Sequence, residues 1–380
     1  MEDIMLRVGF IGFGTRASSF FENNMEPLNV CTLAAVCDPK ADEIRKKWDE
    51  KYPDCHWYSD AEEMLNKESL DGVYVGTRCN LHTKYAMLVA KYDIPMFLEK
   101  PVAVNEEEIA LLESIPHMDQ KTVVSFPLRL AQLVTTVKDY IDRGMIGTLS
   151  QVQAYNNVHY GRIYYHGWYR DESITGGLFL QKATHDLDYI NYVLGMDPVS
   201  LCAMETKSIF KGSKPAGVAC KDCKEYYTCT ESPYNVALYD PKRVIDDAHC
   251  CFATDTGNHD SATVMMQYAN GVHAVYSQNF VARKGAGKRG ARFIGYKGTI
   301  EFDFNSKTVT FFDHTSDRVD RISVMSSGGH SGGDNALATN FIDIMTKRDV
   351  SHSPLSQGVQ SARLCLAAKR SAKTNTFIKL

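Results

Sequence analysis

Val8-Gly9-Phe10-Ile11-Gly12-Phe13-Gly14-Thr15-Arg16-Ala17 decides the fold class. An apolar run leads into two glycines one residue apart, and a helical pattern follows. The stretch fits G-x-G-x-x-G/A, with Gly12, Gly14 and Ala17 at the three key places. Gly12 permits a tight turn out of a strand, Gly14 lets backbone amides approach a pyrophosphate, and Ala17 keeps the helix close to the sheet. The helix start would face the phosphates with unpaired N–H groups and a positive dipole end. Phe13, Thr15 and Arg16 share that turn and are candidate cofactor contacts.

A glycine-rich turn alone is a weak signal. Its context strengthens it, because a second apolar run ends in Val36-Cys37-Asp38, some 20-odd residues on. The Asp38 carboxylate can accept hydrogen bonds from adenosine ribose hydroxyls and would repel a 2′-phosphate, so NAD(H) is expected over NADP(H). The plainer reading of Asp38 is a helix cap before Pro39.

Outward from this stretch, Leu6–Ile11, Leu33–Cys37, Gly72–Val75, Met96–Leu98 and Val123–Phe126 read as buried parallel strands. Helical patterns at Ala41–Lys51 and His82–Lys91 lie between them. This alternation predicts a Rossmann doubly wound parallel sheet over residues 1–125. After that the texture changes. A helix is expected at Leu130–Arg143, a strand at Leu149–Tyr155 and a helix at Thr184–Leu194. Alternating strands follow at Ala262–Tyr268, His273–Phe280, Ala291–Gly295, Thr299–Phe304 and Thr308–Asp313. Asn270-Gly271 and Lys297-Gly298 are hairpin signals. Helices at Asn335–Lys347 and Ser356–Lys373 close the chain. Residues 126–380 are thus expected to form an α+β domain with a large, mostly antiparallel open sheet, its last helix packing back on the first domain.

Two domains suit 380 residues, and 44% hydrophobic with 23% charged residues is ordinary globular composition. A net charge of −4 gives no electrostatic footprint for nucleic acid or an anionic membrane surface. No window approaches the roughly 18 apolar residues of a membrane helix. The start, Met1-Glu2-Asp3-Ile4-Met5-Leu6-Arg7, lacks a signal-peptide pattern. A cytoplasmic setting, with the eleven cysteines reduced, is expected.

Met96-Phe97-Leu98-Glu99-Lys100-Pro101 sets Lys100 just past the carboxyl end of a buried strand, the ligand edge of a doubly wound sheet. An ammonium there can bind a hydroxyl and stabilise a developing alkoxide; the plain alternative is a solvated surface lysine.

Gly12-Phe13-Gly14 followed by Glu99-Lys100-Pro101 resembles the glucose–fructose oxidoreductase / inositol dehydrogenase / rhizopine catabolism (Gfo/Idh/MocA) family, along essentially the whole chain. The resemblance implies a sugar or polyol dehydrogenase that uses NAD(H). It also implies a homo-oligomer, dimer or tetramer, formed through the open face of the large sheet. Thr77-Arg78-Cys79-Asn80-Leu81-His82 resembles the family's T-P-N-x-x-H segment beside the nicotinamide ribose, making Thr77, Asn80, His82 and Glu99 candidate cofactor contacts. Ser125-Phe126-Pro127-Leu128-Arg129 resembles the opening of the second domain and makes Arg129 a candidate substrate contact.

Gly176-Gly177-Leu178-Phe179-Leu180-Gln181-Lys182-Ala183-Thr184-His185-Asp186-Leu187-Asp188 is similar to the family's G-G-x-x-x-D-x-x-x-H element. There the histidine exchanges a proton with the substrate hydroxyl, a role His185 fits. Gln181 stands where the family has aspartate; it cannot act as a base, though it can bind a hydroxyl. Lys182-Ala183-Thr184-His185 resembles a K-x-T-H subgroup. If the stretch is helical, Gln181, His185 and Asp188 share a face. The resemblance leaves three readings: a dehydrogenase of sugar or polyol hydroxyls, a redox-neutral NAD-dependent glycoside-cleaving enzyme, and a non-catalytic NAD-binding regulator.

Cys220, Cys223 and Cys229, with Cys250 or Cys251 downstream, give thiolates for a structural zinc or an iron–sulfur cluster; the alternative is a set of reduced thiols, with Cys251 facing the core from a strand-like Cys250–Thr254. In Ser326-Ser-Gly-Gly-His330-Ser-Gly-Gly-Asp334, Asp334 reads as an N-cap and His330 as a loop residue within reach of substrate. Trp168, in an aromatic stretch from Tyr160 to Tyr169, can stack on a sugar face or simply fill a core. Arg283, Lys284, Lys288, Arg289 and Arg292 read as a solvated hairpin loop.

Overall fold

The computed structural model describes residues 5–325 and 329–380. Met1–Ile4 and Ser326–Gly328, on which part of the signal-peptide and serine–glycine-loop readings rest, lie outside the described residues. The described chain groups into two compact units: residues 5–132 with 329–363, and residues 133–325 with 364–380. The segment 329–363, read above with the second domain, thus groups with the first.

Among the described residues the first unit holds six parallel strands: β1 (Leu6–Ile11), β2 (Cys31–Cys37), β3 (His56–Tyr58), β4 (Gly72–Val75), β5 (Met96–Leu98) and β6 (Thr122–Val124). Their order is β3-β2-β1-β4-β5-β6. The direction of winding reverses between β1 and β4, where ligands bind in open α/β sheets. β3 lacks an apolar run; it is a three-residue edge strand, partly exposed, paired to Ala35–Cys37.

β1, β2, β4 and β5 are apolar on both faces because both faces of the sheet are covered there. Across β1, β4 and β5, the rings of Phe10, Tyr74 and Phe97 stack at centroid spacings of 4.8 and 4.7 Å. The helix Gly333–Met345 lays Phe341 edge-on against Phe97, with Leu337, Ala338 and Ile342 buried in the same cluster. That burial draws residues 329–363 into the first unit. The helix begins two residues earlier than expected: its N-cap is Gly332, and Asp334 lies inside the first turn, so the N-cap reading of Asp334 is corrected. Gly333 is required there, since a Cβ would sit 1.8 Å from the Pro127 carbonyl oxygen.

The second unit holds β7 (Leu149–Asn157), β8 (Pro198–Thr206), β9 (Ser261–Tyr268), β10 (His273–Asn279), β11 (Lys288–Gly295), β12 (Gly298–Asp303), β13 (Thr308–Asp313), β14 (Val319–Ser323) and β15 (Ile378–Lys379). They form one sheet in the order β14-β13-β12-β11-β7-β10-β9-β8-β15, antiparallel except where β7 and β10 run parallel. One face is buried: along β9, Ala262, Val264, Met266 and Tyr268 point inward while Met265 is exposed. β8, β14 and β15 were not foreseen. β8 buries only Pro198, Leu201 and Ala203, and β14 is a charged edge strand, so neither carries an apolar run.

Between β8 and β9 the chain is irregular, with a short helix at Pro233–Tyr239 and two isolated bridges, Lys214 to Ala253 and Ala219 to His249. The strand-like reading of Cys250–Thr254 reduces to the Ala253 bridge, although Cys251 does face the core. No helix among the described residues is long and apolar enough to cross a membrane.

Candidate functional site

At the end of β1, Gly12 adopts φ +84° and donates its N–H to the Cys37 carbonyl at 2.7 Å. A Cβ on Gly12 would lie 2.8 Å from the Gly76 carbonyl oxygen at the end of β4, so only glycine lets these two loops close on each other. Phe13 buries its ring against Phe10 and Trp48, while its N–H donates to Asp38 Oδ2 at 3.1 Å. Asp38 Oδ1 accepts from the Lys40 N–H at 2.9 Å. The carboxylate therefore sits at the tip of β2, held against the glycine turn.

Gly14 caps the helix Thr15–Phe20, and a Cβ built on it would meet nothing within 4 Å. Gly14 and Thr15 are exposed. An open backbone at a helix start, with a carboxylate one strand away, fits a dinucleotide: a diphosphate over Gly14 and Thr15, a ribose at Asp38.

Arg16 spans two carboxylates. Its Nε donates to Glu99 Oε1 at 2.9 Å, and its two terminal nitrogens donate to Asp334 at 2.7 and 3.1 Å. Glu99 is buried and also accepts from the Tyr74 hydroxyl at 2.6 Å. Burial alone would raise the Glu99 carboxyl, but Arg16, the Tyr74 hydroxyl and Lys100 outweigh it and hold the group below the usual carboxylate range. Arg16 is held well above its ordinary value: burial lowers it, and Glu99, Tyr74 and Asp334 overcome that. His330 Nδ1 lies 2.8 Å from Asp334 Oδ2, which places this histidine in the same network.

Lys100 follows β5, half-buried, and its bond to Pro101 is cis. The preceding loops are stitched by His82, whose Nδ1 lies 2.8 Å from the Pro101 carbonyl oxygen and whose Nε2 lies 3.2 Å from that of Thr77. His82 is fully enclosed, so it positions the Thr77 and Pro101 loops. Thr77 and Asn80 remain partly exposed at that edge. Arg129 is buried and donates to the His352 carbonyl at 3.2 Å and to the Gln357 side chain; a guanidinium so held anchors residues 352–357.

In the second unit, Gln181 and Lys182 lie on a π-helical turn, Phe179–Ala183, that runs directly into the α-helix Thr184–Leu194. The Thr184 N–H reaches back five residues to the Phe179 carbonyl. The wider turn breaks the simple 3.6-residue register assumed for Gln181 and His185. Gln181 is buried and its amide donates to the Thr175 carbonyl at 3.1 Å. Lys182, also buried, donates to the Tyr160 hydroxyl and lies 4.4 and 5.5 Å from the ring centroids of Tyr160 and Tyr164. His185 and Asp188 are buried on the α-helix that follows. Trp168 stacks on Tyr169 at 3.8 Å, while Tyr164 and Tyr165 fill a core with Phe210 and Phe280.

One element escaped the sequence reading. Asp186, fully buried, takes a two-pronged bond from Arg289 at 2.8 and 2.9 Å and accepts from Asn156 and Tyr276 at 3.0 Å each. Arg289 is therefore no solvated loop residue; it lies on β11, and Asp186 holds its charge against the cost of burial. Only the position of Arg289 on a strand could have signalled this.

The cysteine quartet is also corrected. Among the described residues, the metal-ligand atoms that gather within 4.8 Å of one another belong to His166, Glu231 and Cys251, not to Cys220, Cys223, Cys229 and Cys250. No cysteine is paired in a disulfide among the described residues.

The chain is similar to known proteins along its length. Residues 6–124 match the oxidoreductase family NAD-binding Rossmann fold, and residues 138–380 match the C-terminal alpha/beta domain of the same family. YteT of Bacillus subtilis (strain 168), named an oxidoreductase, is 25% identical, covering 88% of this chain and 87% of that protein. The myo-inositol 2-dehydrogenase of Thermotoga maritima is 25% identical over 50% of this chain and 55% of its own length. A solved levoglucosan dehydrogenase in complex with NADH and levoglucosan superposes with a TM-score of 0.77 at 16% identity, covering 99% of both chains; at that identity the likeness is one of fold. With both family domains matched in order, a Rossmann sheet whose switch-point turn fits a dinucleotide, and a second unit built on a large mixed sheet, the chain belongs to the Gfo/Idh/MocA oxidoreductase family and is an NAD(H)-dependent oxidoreductase.

Proposed function

We propose that the chain oxidises or reduces a secondary hydroxyl of a sugar, polyol or glycoside, forming a ketosugar in the oxidative direction. The observation that carries this reading is the carboxyl edge of the first sheet. Gly12 locked against Gly76, Gly14 open, Asp38 at the tip of β2 and Lys100 after β5 all lie there. The names of relatives acting on inositols and of a fold neighbour holding NADH with levoglucosan support the substrate class.

Bound NAD supplies the hydride acceptor or donor. The open backbone of Gly14 and Thr15 would hold its diphosphate, Asp38 its adenosine ribose, and Thr77 and Asn80 its nicotinamide ribose. Lys100 donates to the reacting hydroxyl and offsets negative charge on that oxygen. His185 takes up or returns the hydroxyl proton. Gln181 can do neither, and its amide is held on Thr175, so proton exchange falls to the histidine. Lys182 adds a cation within an aromatic wall suited to the apolar C–H face of a sugar. The exposed Met204 and Met265 on the outer face of the large sheet support a dimer or tetramer formed there, and eleven cysteines with no disulfide among the described residues suit a cytoplasmic protein.

Lys100→Ala tests the assignment. Turnover should fall by about 10²–10⁴-fold while NAD affinity is unchanged. Turnover equal to wild type would remove Lys100 from catalysis.

A further inference from the structure

His166, Glu231 and Cys251 come from three separate stretches of the second unit, and their ligand atoms lie within 4.8 Å of one another. His166 is 2% exposed. Its Nδ1 lies 2.8 Å from the His249 carbonyl oxygen, an acceptor, so that nitrogen carries the hydrogen. In the neutral ring this turns the Nε2 lone pair toward Glu231. Nε2 has no hydrogen-bond partner, and neither does Glu231 Oε2, 3.6 Å away. Two buried acceptors facing each other are unfavourable unless a proton or a metal ion lies between them.

A carbonyl holding one imidazole nitrogen so that the other is bare is the usual support for a metal-bound histidine. Nitrogen, carboxylate and thiol together favour zinc over magnesium or calcium. In a tetrahedral site with bonds of about 2.0–2.3 Å, ligand atoms stand about 3.3–3.7 Å apart; His166 Nε2 and Glu231 Oε2 are 3.6 Å apart, and the Cys251 thiol lies within 4.8 Å of both. Arg162 shares Glu231, with Nη1 3.0 Å from Oε2 but not aligned as a hydrogen bond, and Nη2 3.3 Å from Oε1. With Cys251 bound as thiolate, its proton leaving to solvent, zinc, Glu231 and Cys251 sum to zero charge, and Arg162 keeps its own beside them. The surrounding segment, residues 207–260, has little regular structure of its own, the setting in which a metal contributes most to folding.

We propose that His166, Glu231 and Cys251 bind a structural zinc ion that fastens the 207–260 segment to the helix Ile163–His166. The test is metal content of the full chain after loading with zinc and removal of excess. Wild type should retain about one zinc per chain, His166→Ala and Cys251→Ala less than about a tenth of that, and Cys220→Ala the full amount. Absence of retained zinc in wild type, or its loss in Cys220→Ala with retention in Cys251→Ala, overturns the proposal. Should the first two variants fail to fold, cobalt-loaded wild type decides. A thiolate-to-cobalt absorption band of one-thiolate intensity, unchanged in Cys220→Ala, supports the site; a four-thiolate band or none overturns it.

Discussion

Arg16 and Asp334 stand 318 positions apart in sequence and meet in a forked ion pair of 2.7 and 3.1 Å. The pair joins the dinucleotide turn to the helix Gly333–Met345 within the first unit, and Glu99 and His330 extend it on either side. It is how a late segment of the chain secures the cofactor turn.

Asp334→Asn should destabilise the chain by about 1–2 kcal/mol near neutral pH, less than a fully buried pair because the Arg16 side chain is 38% exposed. Burial alone would raise the Asp334 carboxyl, but His330 and Arg16 hold it well below the usual range. A depressed pKa contributes stability above the unfolded value, about 4, and loses it as pH falls below that. Denaturant unfolding at neutral and acid pH checks this: the gap between wild type and variant should close in acid.

Gly12→Ala forces a side chain into φ +84° and against the Gly76 carbonyl. Strain of about 1–3 kcal/mol should open the turn and weaken NAD binding by more than about tenfold. Calorimetric titration with NAD reads this directly; unaltered affinity would deny the turn its role.

Asp38→Ser keeps a polar group for the Phe13 N–H but removes the charge at the tip of β2. The ratio of kcat/KM for NAD over NADP should fall by about 10–100-fold. A ratio that does not move would make Asp38 a turn-fixing residue only.

His82 is pressed below its ordinary pKa by burial, against the opposing pull of the Pro101 carbonyl, Glu99 and the Thr77 carbonyl. The unfolded chain then binds the extra proton first, so this contribution to stability is present above about pH 6.5 and lost as pH falls below it. Melting temperature followed from pH 8 to pH 5 should drop more steeply for wild type than for His82→Asn.

The parallel sheet was legible because β1, β2, β4, β5 and β6 are apolar runs that need no tertiary knowledge, and Gly12, Gly14 and Asp38 sit at fixed offsets from them. β3 and β14 were not, because short edge strands carry polar or exposed side chains. Nothing local announces that Phe341 packs on Phe97 or that Asp334 pairs with Arg16, since such contacts exist only after the chain returns. Lys182 and His185 stood out by motif, whereas the π-turn beneath Gln181 follows from packing that periodicity does not encode. Arg289 looked solvated among its basic neighbours because its partner, Asp186, lies 103 positions away.

The most direct measurement is a panel of inositols, aldoses, anhydrosugars and glycosides incubated with enzyme and NAD, followed by cofactor absorbance and by mass spectrometry of products. The account predicts that at least one secondary alcohol yields NADH and, in equal amount, a ketone lacking two hydrogens. Glycosidic cleavage with no net NADH, or a cofactor that no member of the panel reduces, would contradict it.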